Sequence, residues 1–217
     1  MAGVKICGVT TPEVVDACVA AGAAYVGFVF YPPSPRSIVP SIARDLARRL
    51  PTGVRAVGLF VEPADEVLRD VLATVPLDMI QLHGNETPAR VREVRDSVSM
   101  PVMKAIRIAD AADVETADQY ADCCDMLLFD ARAPANVAAL PGGNGLSFDW
   151  SLIQGRQWPL PWLLSGGLTP ETVADAVAAT GASGVDVSSG VEDRPGRKNI
   201  EMIAAFIENA KQAGISG

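Results

Sequence analysis

The chain is 217 residues long and carries 18 Lys and Arg against 26 Asp and Glu, which gives a net charge of −8. Hydrophobic residues make up 49% and charged residues 20% of the sequence, a composition typical of a globular protein and not of a disordered one. The acidic balance argues against binding to nucleic acids or membrane surfaces, because these need clustered lysine and arginine. A small anionic ligand remains compatible with it, since a few local donors can hold one.

Four cysteines and a single histidine limit the redox and metal chemistry that the chain can support. Cys7, Cys18, Cys123 and Cys124 fit neither a disulfide framework nor a zinc-binding spacing, and one histidine is too few for most metal sites. We therefore expect no metal. The longest uncharged run, Ala17 to Tyr31, contains two glycines and is too short to span a bilayer. With no signal-peptide pattern, free thiols in a reducing cytoplasm are the predicted setting.

Eight short apolar runs alternate with longer amphipathic stretches along the whole chain. The runs are rich in Val, Ile, Leu and Phe and too continuous for half-exposed strands, which predicts buried parallel strands. They are Val4–Cys7, Tyr25–Phe30, Val54–Phe60, Met79–Leu82, Val102–Ile106, Met126–Phe129, Trp162–Leu164 and Gly184–Val187.

Helices are predicted in the stretches between these runs. Thr11-Pro12, Thr87-Pro88 and Thr169-Pro170 each place a capping hydroxyl before a proline, which is favoured at the first helical position. Helices are also predicted at Pro40–Leu50, Ala64–Thr74, Pro88–Asp96 and Asn199–Ala213.

The alternation predicts the fold class. No linker divides the chain, so residues 1–217 are expected to form a single domain. Eight βα units leave about 27 residues for each (217/8), which fits a compact (β/α)8 TIM barrel of the α/β class. The alternative is a doubly wound open sheet. No GxGxxG follows the first strand, which argues against a dinucleotide site.

Two loops at the ends of the last two predicted strands indicate a phosphate site. Gly166 and Gly167 follow the seventh strand, and Ser188, Ser189 and Gly190 follow the eighth. These are the loops that recurrently bind phosphate in this fold, because glycine lets backbone N–H groups approach and serine adds a hydroxyl donor. The alternative is that both loops are merely tight turns.

Cys7 and Asp130 end two apolar strands and would face the same barrel mouth. A cysteine can act as a base when its thiolate is favoured, and an aspartate can act as an acid when it stays protonated. Lys5 points to the same side of its strand as Cys7, so its charge is expected to favour the thiolate. The alternatives are a buried core cysteine and a helix-capping aspartate.

Three more polar residues belong to the candidate site. Arg36 lies in a loop stiffened by three prolines, which would hold its guanidinium against a carboxylate or phosphate; the alternative is a solvated surface arginine. His83 would bind either substrate or a loop carbonyl. Asp186 lies near the end of the eighth strand.

Motifs at the predicted strand ends occur in a fixed order. They are Lys5-Ile6-Cys7-Gly8, Phe28-Val29-Phe30, Ser34-Pro35-Arg36-Ser37, Gln81-Leu82-His83-Gly84, Asp130, Pro141-Gly142-Gly143, Phe148-Asp149-Trp150, Ser165-Gly166-Gly167-Leu168 and Gly184 to Glu192. Over nearly the whole chain, this ordered set resembles the phosphoribosylanthranilate isomerase family of tryptophan biosynthesis. Asn144, where Thr or Ser often follows Pro-Gly-Gly, departs from the family pattern, and Arg132 has no assigned counterpart.

The resemblance implies an Amadori rearrangement of a phosphorylated sugar substrate. It implies Cys7 as general base and Asp130 as general acid, with Lys5, Arg36, His83 and Asp186 as substrate-binding residues and no cofactor. Alternatives are an aldose–ketose isomerase of histidine biosynthesis, expected to use two aspartates, and a catalytically silent barrel that binds a sugar phosphate. The oligomeric state stays open, with a monomer slightly favoured.

Overall fold

The computed structural model describes residues 3–133, 140 and 142–215. Its centre is a closed barrel of eight parallel strands in chain order, which confirms the predicted (β/α)8 class and excludes the open sheet. Pro141 of the Pro-Gly-Gly motif lies outside the described residues. The strands are β1 Val4–Cys7, β2 Tyr25–Val29, β3 Arg55–Phe60, β4 Met79–Leu82, β5 Val102–Ile108, β6 Met126–Ala131, β7 Trp162–Leu164 and β8 Val185–Val187.

Seven α-helices are present in the described part of the chain, and several have the caps that the sequence predicts. Thr11 Oγ1 accepts a bond from Val14 N, and Thr87 Oγ1 accepts one from Arg90 N. The helices are α1 Pro12–Ala21, α2 Pro40–Ala47, α3 Asp65–Thr74, α4 Pro88–Ser97, α5 Ala111–Thr116, α6 Val173–Thr180 and α7 Ile200–Gln212.

The prediction that a helix begins at Thr169-Pro170 is wrong. Thr169 N donates to Thr172 Oγ1, and Thr169 O accepts bonds from Thr172 N and Val173 N, so Thr169 closes a turn that leads into the helix. α6 begins only at Val173. Two further elements were not predicted: the short helix α5, and a hairpin after β8 formed by β9 Glu192–Arg194 and β10 Arg197–Lys198.

The unit after β6 also differs from a regular βα unit. Between β6 and β7, the described residues hold a single 3₁₀ turn, Trp150–Leu152, and no α-helix. Among the residues that the structure describes, no helix is long and apolar enough to cross a membrane.

Side chains inside the barrel form two layers. The lower layer is apolar and consists of Tyr25, Val57, Met79, Met103, Ala105, Met126, Leu128 and Leu163. Above it, Cys7, Val29 and Leu59 form a small apolar cluster near the carboxyl ends of the strands. The opposite faces of the strands pack against the helices in one large core, so the polar residues at the strand ends rest on a packed floor.

Candidate active site

A cavity opens at the carboxyl ends of the barrel strands and encloses about 740 Å³, its open mouth included. It collects ten of the eleven site residues that the sequence predicts: Cys7, Arg36, His83, Asp130, Gly166, Gly167, Asp186, Ser188, Ser189 and Gly190. The eleventh, Lys5, is fully buried and lies two residues before Cys7 on the same face of β1. Residues that are up to about 180 positions apart in the sequence therefore surround one space.

The loops after β7 and β8 touch each other on one side of this cavity. Any Cβ on Gly190 would overlap the carbonyl oxygen of Leu168, so only glycine permits this contact. Gly166 and Gly167 have φ angles of +91° and +65°, and within the described residues their backbone N–H groups have no protein acceptor. Free N–H groups at the mouth of a barrel are suited to bind phosphate oxygens.

The two serines of the β8 loop differ in their partners. Ser188 Oγ donates to the carbonyl oxygen of Cys7 at 3.1 Å and accepts a bond from Lys198 Nζ at 3.2 Å. The Ser189 hydroxyl has no protein partner in the described part of the chain. Ser188 therefore ties the loop to β1, while Ser189 keeps its hydroxyl available to a ligand.

Beneath the cavity, Lys5 and Asp186 form a buried ion pair. Lys5 Nζ donates to Asp186 Oδ1 at 2.7 Å, and Asp186 Oδ2 accepts a bond from Ser165 Oγ at 3.1 Å. Burial alone would lower the pKa of Lys5, but the Asp186 carboxylate raises that pKa above its ordinary value. Lys5 is thus a permanent cation under the site.

Cys7 lies beside this pair as a buried thiol. Burial raises the pKa of Cys7 above its ordinary value, and the charge of Lys5 offsets that effect only in part. Lys5 favours the thiolate, as expected from the sequence, but in the free protein burial outweighs this single nearby cation.

Asp130 at the end of β6 is held from two sides. Its Oδ1 accepts a bond from Ala131 N at 2.9 Å, and its Oδ2 lies 3.0 Å from His83 Nε2. His83 Nδ1 in turn lies 2.8 Å from Gln81 Nε2. The sequence left a substrate group or a loop carbonyl open as the partner of His83; its protein partners in the structure are the Asp130 carboxyl and the Gln81 amide.

Arg36 is buried and belongs to an ionic network, which excludes a solvated surface arginine. Its Nε and Nη2 donate to the two carboxylate oxygens of Glu192, both at 2.8 Å, and Nη2 also donates to Gly143 O at 3.1 Å. Lys198 Nζ donates to Glu192 Oε1 at 2.7 Å and to Ser188 O at 2.9 Å. The network joins the loops after β2, β6 and β8.

Sequence reasoning did not assign Glu192 or Lys198. Burial would raise the pKa of Glu192, but Arg36 and Lys198 together hold it below its usual range, while burial lowers the pKa of Lys198 despite Glu192. The only sequence signal for a role of Glu192 is its position at the end of the motif that begins at Gly184. Lys198 has no such signal, because the hairpin that carries it was not predicted.

A second buried pair supports the loop that follows His83. Lys104 Nζ donates to Glu86 Oε2 and to Gly84 O, both at 2.8 Å, and Glu86 Oε1 accepts a bond from Glu62 N. Burial lowers the pKa of Lys104. For Glu86, burial alone would raise the pKa, but the charge of Lys104 outweighs burial and holds the pKa of Glu86 below its ordinary value. No local pattern in the sequence indicates this pair, which fixes the turns after β3 and β4.

The side of the cavity near β2 and β3 is apolar. Val29 and Leu59 are buried, and Tyr31 and Val61 pack against them. All four residues line the cavity, and Arg36, from the loop after β2, lines it as well. Such a wall beside a guanidinium suits a flat aromatic group that carries a carboxylate. Within residues 3–133, 140 and 142–215, no cluster of three or more His, Cys, Asp or Glu side chains could hold a metal ion.

A closed (β/α)8 barrel with titratable side chains and glycine loops around one cavity at its carboxyl face belongs to the class of barrel enzymes that work by acid–base chemistry. Comparison with known proteins narrows this class. The family model for N-(5'-phosphoribosyl)anthranilate isomerase matches residues 4–209. The chain belongs to this family, as its sequence motifs predict.

Individual relatives agree with this assignment. N-(5'-phosphoribosyl)anthranilate isomerase of Rhodospirillum centenum is 59% identical over 204 residues, which cover 94% of this chain and 95% of that protein. The crystal structure of the Thermotoga maritima enzyme is 40% identical, covers 98% of this chain and 100% of its own, and has a TM-score of 0.87. A further isomerase structure, in complex with reduced 1-(o-carboxyphenylamino)-1-deoxyribulose 5-phosphate, is 39% identical with a TM-score of 0.84 and the same coverage.

Proposed function

We propose that this chain catalyses the Amadori rearrangement of N-(5-phosphoribosyl)anthranilate to 1-(2-carboxyphenylamino)-1-deoxyribulose 5-phosphate in tryptophan biosynthesis, with Asp130 as general acid and Cys7 as general base. The observation that carries the assignment of roles is that both residues line one cavity together with the glycine loops after β7 and β8. An aldose–ketose isomerase with two catalytic aspartates fits less well, because β1 ends in a cysteine.

The acid step opens the sugar ring. The protonated Asp130 gives its proton to the furanose ring oxygen, the bond between that oxygen and the anomeric carbon breaks, and an iminium ion (the protonated Schiff base) forms with the anthranilate nitrogen. The iminium nitrogen then accepts electrons in the next step, so the reaction as written calls for no organic cofactor. A positioned general acid of this kind typically contributes about 10²–10⁴-fold to the rate.

The base step removes the proton from C2′. Since Cys7 is a thiol in the free protein, it has to lose its proton before it can act; the positive iminium and Lys5 both favour the thiolate. The thiolate takes the C2′ proton, the C2′–H electrons form the double bond of the enolamine, and this species tautomerises to the ketone. Cys7 releases one proton to solvent before this step, and Asp130 takes one proton from solvent after it, so the cycle balances.

Binding groups surround the reacting carbon atoms. The N–H groups of Gly166, Gly167 and Gly190, with the Ser188 and Ser189 loop, hold the phosphate at one end. At the other end, the apolar wall covers the anthranilate ring and Arg36 faces its carboxylate. Asp186, kept in place by Lys5, is a polar contact for the sugar. His83 binds the Asp130 carboxyl and borders the substrate on the same side.

The same proposal covers partners and location. The substrate is a small phosphorylated sugar, and neither nucleic acid nor membrane is a partner. We place the enzyme in the cytoplasm, supported by its four buried free thiols. A monomer, slightly favoured by the sequence, stays a prediction.

Steady-state turnover of N-(5-phosphoribosyl)anthranilate tests the proposed reaction directly. We expect the purified protein to convert this substrate, seen as a change in anthranilate fluorescence, and inorganic phosphate to compete. A folded protein that shows no turnover, or turnover without competition by phosphate, would overturn the proposal.

A further inference from the structure

The side-chain amide of Gln81 is buried, lies on the floor of the site and has only one partner. Gln81 is fully buried on β4, where it is in register with Met103 on β5. Its Nε2 contacts His83 Nδ1 at 2.8 Å, and its Oε1 has no hydrogen-bond partner among the described residues. Gln81 does not line the cavity, so it can act on a ligand only through His83.

The contacts on the two ring nitrogens depend on each other. In the observed orientation, the amide N–H donates to His83 Nδ1, so a neutral ring carries its proton on Nε2 and donates to Asp130 Oδ2 at 3.0 Å. When the amide rotates by 180°, Oε1 faces Nδ1 and accepts its proton. Nε2 is then an acceptor and no longer stabilises the carboxylate, so the carboxyl keeps its proton until the ring oxygen takes it.

Among the residues that the structure describes, only His83 holds the amide in one orientation. Because Oε1 has no partner among them, rotation exchanges one unpartnered group for another, and the two orientations differ mainly in the bond to His83. A buried polar atom without a partner is unusual and points to a role beyond packing. Gln81 and His83 therefore form a unit with two alternative hydrogen-bond patterns.

As the general acid, Asp130 needs both hydrogen-bond patterns. This inference therefore rests on the proposed function. The carboxyl passes from acid to carboxylate in every turnover and later regains its proton. A fixed donor on Oδ2 would favour the carboxylate only, and a fixed acceptor would favour the acid only. We propose that Gln81 is a positioning residue that, by rotating its amide, switches the tautomer of His83 to match the protonation state of Asp130.

Other charged groups lie around the pair. Cys7, Arg36 and Asp186 line the same cavity as Asp130 and His83, with Lys5 bound to Asp186, and Lys104 and Arg107 lie on β5 in register with Leu82 and Asp130. Most of these groups already have partners: Lys5 binds Asp186, Arg36 binds Glu192, Lys104 binds Glu86 and Arg107 binds Asn85. The Gln81 amide and the Asp130 carboxyl make the hydrogen bonds to the ring itself.

The single histidine of the chain allows a direct test. Protein labelled with ¹⁵N at the ring nitrogens of histidine gives only the two imidazole nitrogens of His83 in an NMR spectrum, without substrate. Near neutral pH we expect the proton on Nε2. At lower pH, we expect Nδ1 to become protonated while Nε2 loses its proton. Protonation of both nitrogens to an imidazolium, or an unchanged tautomer, would overturn the proposal.

Two variants link this switch to turnover. Gln81→Met removes both amide groups, so we expect the tautomer switch to disappear and kcat to fall roughly five-fold, the worth of one hydrogen bond, with KM unchanged. The acid limb of its pH profile should also move relative to that of the wild type. Met103→Leu, its buried neighbour in register, is the matched control and should keep both the switch and kcat.

The outcomes separate this inference from the proposed function. The wild-type NMR titration needs neither a variant nor turnover, so misfolding of Gln81→Met leaves it decisive. An active enzyme whose His83 forms an imidazolium would overturn the switch alone. A protein that shows the tautomer switch but does not turn over the substrate would overturn the proposed reaction and leave the switch standing.

Discussion

Burial controls the resting state of Cys7 more strongly than charge does. Its side chain lines the cavity but is only 4% exposed, and the pKa of its thiol is raised although Lys5 is adjacent. Only the thiolate is a nucleophile or a base. The free enzyme should therefore hold an unreactive thiol that becomes a base only with substrate in place.

Alkylation of Cys7 should report this raised pKa. We expect its rate with iodoacetamide to rise about tenfold for each pH unit between pH 7 and pH 9 and to show no plateau there, because the thiolate fraction keeps rising. Peptide mapping by mass spectrometry assigns the modified residue. Cys18 and Cys124 serve as internal controls, since burial raises the pKa of each to about 12. A plateau below pH 8 would show that Lys5 outweighs burial.

Lys5 should matter for stability as well as for chemistry. Lys5→Met leaves the Asp186 carboxylate buried without its cation, so we expect a loss of about 3–5 kcal/mol in the free energy of unfolding. Because the folded-state pKa of Lys5 is raised above 10.5, the contribution of the pair is fully present at neutral pH and declines only as the pH rises through that folded value.

Urea denaturation at pH 7 measures this loss, and a double variant controls for it. Lys5→Met with Asp186→Asn removes the uncompensated charge and should recover part of the stability. Equal stability of the single and double variants would contradict the account of the pair.

The sequence predicted which single residues meet but not what they bind. Cys7, Asp130 and Arg36 were found because each follows an apolar strand, and in a parallel barrel such positions converge. The partners of Arg36 and His83 were missed because Glu192 and Gln81 come from distant or buried positions. Long-range pairing of polar side chains depends on the register between strands, which no local pattern encodes.

At the scale of elements, the loops after β7 and β8 contribute both to the stability of the protein and to phosphate binding. Gly167 cannot be used to separate these effects, because a Cβ there would lie 2.8 Å from the carbonyl of Leu146 and φ is positive. The two serines can be used. One is tied into the protein and the other is not.

Ser189→Ala should weaken phosphate binding without changing the melting temperature of the free protein. One lost bond to a charged group is worth about 1.5–3 kcal/mol, so the inhibition constant of inorganic phosphate should rise roughly tenfold or more. Ser188→Ala is the contrasting variant: it deprives Cys7 O and Lys198 of a partner, and we expect the melting temperature to fall by about 2–4 °C. Thermal melts and competition kinetics measure both. A lower melting temperature for Ser189→Ala would contradict the division.

Elements with a strong local signal were predictable. All eight strands were found within two residues at each end, because continuous apolar runs are rare outside buried strands. α5 has only six residues and gives little periodicity, and the β9–β10 hairpin is short and polar. The helix predicted at Thr169 failed because a capping threonine and proline can equally form a turn.

At the scale of the whole molecule, the barrel brings together residues from both ends of the chain. β1 pairs with β8, and the register sets Lys5 opposite Asp186. β1 and β6 lie three strands apart around the ring, so Cys7 and Asp130 can approach a ligand from different sides. The single-domain organisation of residues 1–217 stays a prediction, for which one cooperative unfolding transition is the expected result.

In the proposed mechanism, Cys7 and Asp130 act as the base and acid of the isomerisation. The most direct measurement is kcat for N-(5-phosphoribosyl)anthranilate with wild-type protein, Cys7→Ala and Asp130→Asn, each checked for folding by circular dichroism. We expect kcat to fall at least about 10²-fold in each variant, because each removes one proton transfer, while inorganic phosphate still binds. A folded Cys7→Ala or Asp130→Asn protein with wild-type kcat would contradict the account.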